Sequence, residues 1–138
     1  RYRQFDASVF FQTALGFDIF NIHDFYYSTK NFQGNVMDKA YSKNKLVSQN
    51  PIVSDYFLEP GDYLKLSSLN IGYTLNLNKR FIDSVRIFAT ANNLFTITKF
   101  SGIDPSTWEV NGLTPGATGS RSYYPNTRQF MLGMQIDF

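Results

Sequence analysis

The twelve residues Thr127 to Phe138 alternate in chemistry. Arg128, Phe130, Leu132, Met134, Ile136 and Phe138 hold the even positions. Thr127, Gln129, Met131, Gly133, Gln135 and Asp137 hold the odd ones, with Met131 as the exception to their small or polar character. Successive side chains of a strand point to opposite faces, so this period of two builds a strand with one apolar and one polar face. Such a strand fits an antiparallel sheet packed on a core. It fits equally a membrane-barrel strand with its apolar face in lipid and its polar face on a lumen. The fold depends on which solvent the apolar face meets.

Three further stretches carry the same period. Residues 5–21 set Phe5, Ala7, Val9 and Phe11 against Asp6, Ser8, Phe10 and Gln12, and then allow a bend near Gly16. Residues 62–78 set Leu69, Ile71, Tyr73, Leu75 and Leu77 against Ser68, Asn70, Gly72, Thr74 and Asn76. The polarity of that strand switches near Ser67, because Leu64 and Leu66 lie on the second face. Residues 84–98 set Val85, Ile87, Ala89 and Ala91 against Arg86, Phe88, Thr90 and Asn92 before Asn92-Asn93-Leu94 interrupts the pattern, as a bulge does. Residues 22–61 and 99–126 have no sustained period and read as long loops, with a short helix around Ala40 to Lys43.

The connections therefore run long, short, long. Outer-membrane barrels have this layout, with long extracellular loops and short periplasmic turns. A forty-residue loop is out of place in a compact soluble domain. Four strands do not close a barrel, and lipid leaves the edges of an open sheet unsatisfied. The expectation is a piece of a larger barrel, in keeping with a chain that starts at Arg1 without Met. The alternative is a soluble, secreted β-sandwich that binds glycans. It requires Leu69, Ile71, Tyr73, Val85, Ile87, Phe130, Leu132 and Ile136 to pack on a second sheet of the same chain.

Composition removes other classes. Fourteen Phe and nine Tyr favour strands over helices. The net charge of +2 comes from scattered basic residues, so no basic stripe for nucleic acid exists. There is no cysteine for a disulfide or thiolate site. No apolar run reaches the length of a membrane-spanning helix.

With these stretches laid out, the chain resembles the C-terminal end of a SusC/RagA-type TonB-dependent transporter over nearly its whole length. The matching blocks are Phe5 to Gln12, Ser54 to Leu66, and Leu69 to Leu75. They continue from Arg86 to Pro105, with the rather specific Asn92-Asn93-Leu94-Phe95-Thr96-Ile97-Thr98-Lys99 and Gly102-Ile103-Asp104-Pro105, and end with Tyr124 to Phe138. The resemblance implies an all-β, antiparallel transmembrane β-barrel of about 22 strands with a plugged lumen, of which this chain supplies the last four. It implies localisation in the outer membrane of a Gram-negative bacterium, in contact with outer-membrane lipid. It further implies import of glycans or peptides with a SusD-like surface lipoprotein, driven by the TonB–ExbB–ExbD system through upstream segments.

The candidate residues follow from both readings. Trp108, Tyr123 and Tyr124 in the second loop, and Tyr26 and Tyr27 in the first, suit stacking on a substrate or contact with a lid protein. Packing within the loops or an interfacial aromatic girdle explains them equally well. By resemblance, Phe138 is the signal read by the barrel-assembly machinery; by itself it is an interfacial aromatic. Arg86 contacts a plug or substrate, or pairs with a nearby carboxylate. His23 is the only histidine and reads as a polar residue at a strand end, so no metal site is expected. Asp55, Glu59 and Asp62 read as a solvated turn, and Asp104 and Glu109 as loop carboxylates rather than a hydrolytic pair. No nucleophile or phosphate-binding motif occurs, so no catalytic residue and no cofactor are assigned and the chain is read as a non-enzyme.

Overall fold

The computed structural model describes residues 3–30, 34–44, 52–79, 81–107 and 124–138. The chain divides into two compact units, Arg1–Thr13 with Leu64–Ile97 and Asn126–Phe138, and Ala14–Tyr63 with Thr98–Pro125.

The first unit is a four-stranded sheet. Its strands are β1 (Phe5–Ala14), β4 (Tyr63–Lys79), β5 (Ile82–Thr98) and β6 (Gln129–Asp137), in the spatial order β1-β4-β5-β6. The antiparallel ladder of β5 and β6 runs from Ser84↔Asp137 to Asn92↔Gln129. This register pairs like with like. Val85, Ile87, Ala89 and Ala91 face Ile136, Met134, Leu132 and Phe130, while Arg86, Phe88 and Thr90 face Gln135, Gly133 and Met131. A slip of one residue would set the apolar row of one strand beside the polar row of the other, so the alternation itself fixes the register. The ladder stops where Asn93 takes a left-handed φ of 53°. Asn tolerates that conformation better than other non-glycine residues, and its Nδ2 donates to the Thr127 carbonyl at 3.2 Å. The interruption read at Asn92-Asn93-Leu94 is this kink.

The apolar face is largely exposed among the described residues. Ile71, Tyr73, Leu75, Leu77, Ile87, Met134 and Ile136 are exposed, and Phe130 and Leu132 expose 72% and 80% of their surface. The soluble-sandwich alternative required these side chains to be buried within the chain, so it fails among the described residues. The burial pattern of β4 also changes where its polarity switches. Tyr63, Lys65 and Leu66 are buried before Ser67, whereas Ile71, Tyr73, Leu75 and Leu77 are exposed after it.

The opposite face is held by polar contacts. Asn70 Nδ2 donates to Ser8 Oγ at 3.2 Å, and Thr90 Oγ1 donates to Asn70 Oδ1 at 2.7 Å. Arg86 reaches Asp6 with two hydrogen bonds, Nε to Oδ1 at 3.2 Å and Nη2 to Oδ2 at 2.7 Å. Of the two roles considered for Arg86, the structure shows the pairing with a carboxylate. β4 lies between their strands, so the pair must cross roughly 10 Å. Gly72 of β4 makes this possible, because a Cβ there would lie 2.6 Å from both Arg86 and Asp6 atoms. Gly133 of β6 makes room in the same way for Phe88, since a Cβ there would lie 2.3 Å from the ring. The Arg86 guanidinium in turn sits 5.2 Å from the centre of that ring.

The second unit contains β2 (Asp18–Phe20), α1 (Ile22–Tyr27), β3 (Leu58–Pro60) and short 3-10 turns at Asp38–Ala40, Asp55–Phe57 and Pro105–Thr107. β2 and β3 pair antiparallel, with Ile19 opposite Glu59. Three expectations change here. The single strand over 5–21 is two strands in different sheets, because Gly16 turns the chain at φ 78° while its N–H donates to Asp62 Oδ1 at 2.6 Å. The loop over 22–61 is built rather than irregular. The α-helix lies at 22–27, capped by Asn21 Oδ1 accepting from the Asp24 N–H at 3.0 Å, and the short helix read around 40–43 is a 3-10 turn at Asp38–Ala40. Ile19, Ala40, Phe57, Tyr63 and Phe100 are buried in this unit. Phe57 stands at the centre of a ring cluster, 5.2 Å from Phe25, 5.1 Å from Tyr56 and 6.1 Å from Phe20.

Candidate functional site

The second unit holds a cleft of about 460 Å³, lined by Asn21, His23 and Tyr27 from the α1 region, Asn35 to Met37 from the following loop, and Ser101 to Ile103 after β5. Asn21 and the i, i+4 pair His23 and Tyr27 come to one side through the helix that Asn21 caps. The two rings lie 6.1 Å apart at an interplanar angle of 32°. The Met37 N–H donates to the Tyr27 carbonyl at 2.7 Å, which closes the loop back onto the helix.

A polar network under the cleft fixes its walls. Asn21 Nδ2 donates to Glu59 Oε1 at 3.2 Å and to Ser101 Oγ at 3.3 Å. The Ser101 N–H donates to Glu59 Oε2 at 2.7 Å, and Ser101 Oγ donates to Glu59 Oε1 at 2.7 Å. Lys39 stands between two carboxylates, 3.3 Å from Asp24 and 4.0 Å from Glu59, and its ammonium donates to Ser101 Oγ at 2.7 Å. On the far side of Asp24, Asn44 Nδ2 donates to Asp24 Oδ1 at 3.1 Å and Tyr56 OH donates to Asn44 Oδ1 at 2.7 Å. Asn21, Asp24, Ser28 and Asn44 are almost fully buried. Removing one partner from such a network leaves buried groups unsatisfied, which costs about 1–3 kcal/mol each. Lys39 is placed as the counter-ion of Asp24 and Glu59.

Burial by itself raises the Glu59 carboxyl; the hydrogen bonds from Ser101 and Asn21 and the charge of Lys39 together outweigh it and hold the group below its ordinary value. A carboxyl lowered in the folded state contributes stability that is present above the unfolded value of 4.5. That stability is lost as pH falls through the lower, folded value. The melting temperature of the second unit is therefore expected to drop on acidification below about pH 4.5. In Glu59→Gln this component of the slope should vanish. Identical acid slopes in the two proteins would show that Glu59 is not the group responsible.

The candidate aromatics separate. Tyr27 lines the cleft. Tyr26 packs edge-on against Phe25, with ring centres 5.0 Å apart, and is partly exposed. Tyr124 is 77% exposed, and Phe138 ends the apolar row of β6 at 86% exposure. Trp108 and Tyr123 lie outside the described residues, as does Glu109. Asp104 is taken up by its own turn, accepting from the Ser106 N–H at 2.8 Å and from Ser106 Oγ at 2.7 Å. Asp55, Glu59 and Asp62 are not one solvated cluster, since Glu59 joins the network and Asp62 holds Gly16. Sequence reasoning missed Lys39, Asn35, Met37 and Ser101. Only Asn21 left a local signal, an N-cap residue with Asp three positions on.

Over its whole length the chain is 28% identical to TonB-dependent receptor P3 of Formosa agariphila, of which it covers 15%. It is also 28% identical over its whole length to TonB-dependent receptor SusC of Bacteroides thetaiotaomicron, of which it covers 14%. The chain thus spans about a seventh of the length of these curated relatives. A solved structure of the RagAB peptide importer in the closed-closed state matches 99% of this chain and 16% of that one, with a TM-score of 0.72 and 24% identity. No protein-family model matches the chain. Sequence similarity to TonB-dependent receptors, SusC among them, thus extends across the whole chain, and the fold matches a part of the RagAB structure.

Proposed function

We propose that this chain is the C-terminal wall segment of an outer-membrane TonB-dependent transporter that takes up glycans or peptides together with a SusD-like surface lipoprotein. The observation that carries the reading is the uncovered apolar face of β4, β5 and β6. Its rows run from Leu69 to Leu77, Val85 to Ala91 and Phe130 to Phe138. The nine-residue rows of β4 and β6, in strands tilted by about 40°, rise about 20–25 Å, close to the apolar band of an outer-membrane barrel. β4 and β5 have 17 residues each and extend roughly 56 Å at about 3.3 Å per residue. Each therefore reaches well past the bilayer, on the side of the long connections.

The polar face, with the Arg86–Asp6 bridge and Gln135 and Asp137, then lines the lumen of a barrel of about 22 strands. The cleft with His23 and Tyr27 is the surface offered to substrate or the lipoprotein. Tyr124, exposed near the end of the second long connection, offers a further aromatic for such contact. Phe138 ends the row that the assembly machinery reads. The remaining strands, the plug and the segment that engages TonB–ExbB–ExbD come from the rest of the protein. The chain carries wall, loops and assembly signal, and no catalysis.

A strain lacking the full-length gene is expected to lose growth on one class of oligosaccharide or oligopeptide supplied as sole carbon source, and to regain it on complementation. The protein should fractionate with the outer membrane. Undiminished growth on every substrate, with the protein recovered in the soluble fraction, would overturn the reading.

A further inference from the structure

The apolar face carries a trough. Along β5 the row presents Ala89 and Ala91, while β4 on one side presents Leu69 and Ile71 and β6 on the other presents Leu132 and Phe130. Two methyl groups between ridges of larger side chains leave a groove of about 380 Å³ running along the strand. Its lining is almost wholly apolar, so it suits a hydrocarbon chain. Arg128 stands two residues before Phe130 in the same parity, at the end of the groove nearest the long connection. It is exposed, and among the described residues its guanidinium has no ion-pair partner. Asn93 follows the last ladder pair, Asn92↔Gln129, and turns its side chain to the Thr127 carbonyl, next to Arg128 in the chain. A hydrocarbon slot beside one cation that has no ion-pair partner among the described residues matches a lipid that has an acyl chain and a phosphate headgroup. A scattered lipid belt needs neither the small residues nor the cation.

We infer that the Ala89–Ala91 trough and Arg128 form a discrete binding site for a phosphate-bearing lipid of the outer leaflet, its acyl chain in the groove and its headgroup on Arg128. The site rests on the reading that this face meets the bilayer. Its chemistry is that of one tail and one anionic group, since a guanidinium suits phosphate oxygens and a basic side chain at an anionic membrane surface is worth about fivefold in affinity.

The test uses the full-length transporter in mild detergent, titrated with dimyristoyl phosphatidic acid or dimyristoyl phosphatidylcholine and followed by native mass spectrometry. The wild type is expected to retain one phosphatidic acid with about fivefold preference over phosphatidylcholine. Ala91→Phe, which fills the trough, should lose the retained lipid of either kind. Arg128→Gln should keep lipid binding and lose the preference. Equal retention by all three proteins, or a preference that survives Arg128→Gln, would overturn the site. A nitroxide on Leu132→Cys separates this outcome from failure of the underlying reading. Relaxation by oxygen shows that the face still meets lipid, so only the site falls. Relaxation by a water-soluble nickel chelate overturns both.

Discussion

Leu132→Arg in the full-length protein, reconstituted in lipid vesicles, is expected to lower the unfolding free energy by about 2–4 kcal/mol. Met131→Arg, one residue away, should change it by about 1 kcal/mol or less. The two positions share a strand and nearly the same depth. They differ only in face, since Leu132 pairs with Ala89 on the apolar side and Met131 with Thr90 on the polar side. A cation on the apolar side must enter hydrocarbon or drag water with it. A cation on the polar side meets a lumen that already holds Arg86 and Asp6. Reversible urea unfolding measures both. Equal costs at the two positions would mean that both faces meet the same solvent, and the barrel assignment would fall. The contrast between neighbours matters more than either value, because it cancels any general intolerance of β6 to arginine.

The strands and their faces were legible because the information is local. Each residue from Phe130 to Phe138 declares its side by its own chemistry, and a period of two needs no partner to be seen. The interruption at Asn92-Asn93-Leu94 was visible for the same reason, as a break in that period, though its left-handed backbone at Asn93 was not. The second unit was not legible, because its structure is made by long-range contacts. Lys39 meets Ser101 across 62 positions and Asn21 meets Glu59 across 38. No window along the chain contains both partners. Residues 5–21 show the limit within one stretch, since the alternation resumes after Gly16 as though the strand continued. A left-handed glycine held by Asp62 sends the second half to a different sheet. The Arg86–Asp6 bridge is a further case, where the telling residue is Gly72, which contributes only the absence of a side chain.

Phe57→Ala should open the second unit without touching the sheet. Phe57 is 2% exposed and packs on Phe25, Phe20 and Tyr56. Its backbone carbonyl also accepts from the Asn21 N–H at 2.9 Å, at the start of α1. Truncating a buried phenyl ring costs about 3–5 kcal/mol, and the edge-on ring pairs add to the loss. The helix has only six residues, far short of the length at which a helix holds by itself, so it depends on this cluster. The expected result is faster hydrogen exchange at the Phe25 and Ser28 amides, which close the turns of α1 onto the Asn21 and Asp24 carbonyls. Exchange along the ladder of β5 and β6 should not change. Import should fall with it, because Asn21, His23 and Tyr27 reach the cleft only through this helix, while the amount of protein in the outer membrane should hold. Tyr26→Ala removes a partly exposed ring from the edge of the same cluster and should have a smaller effect, about 1 kcal/mol. Unchanged protection at Phe25 and Ser28 in Phe57→Ala would show that α1 is held by the Lys39–Asp24–Asn44 network alone. Import lost together with outer-membrane protein would show that the second unit is required for assembly as well as for uptake.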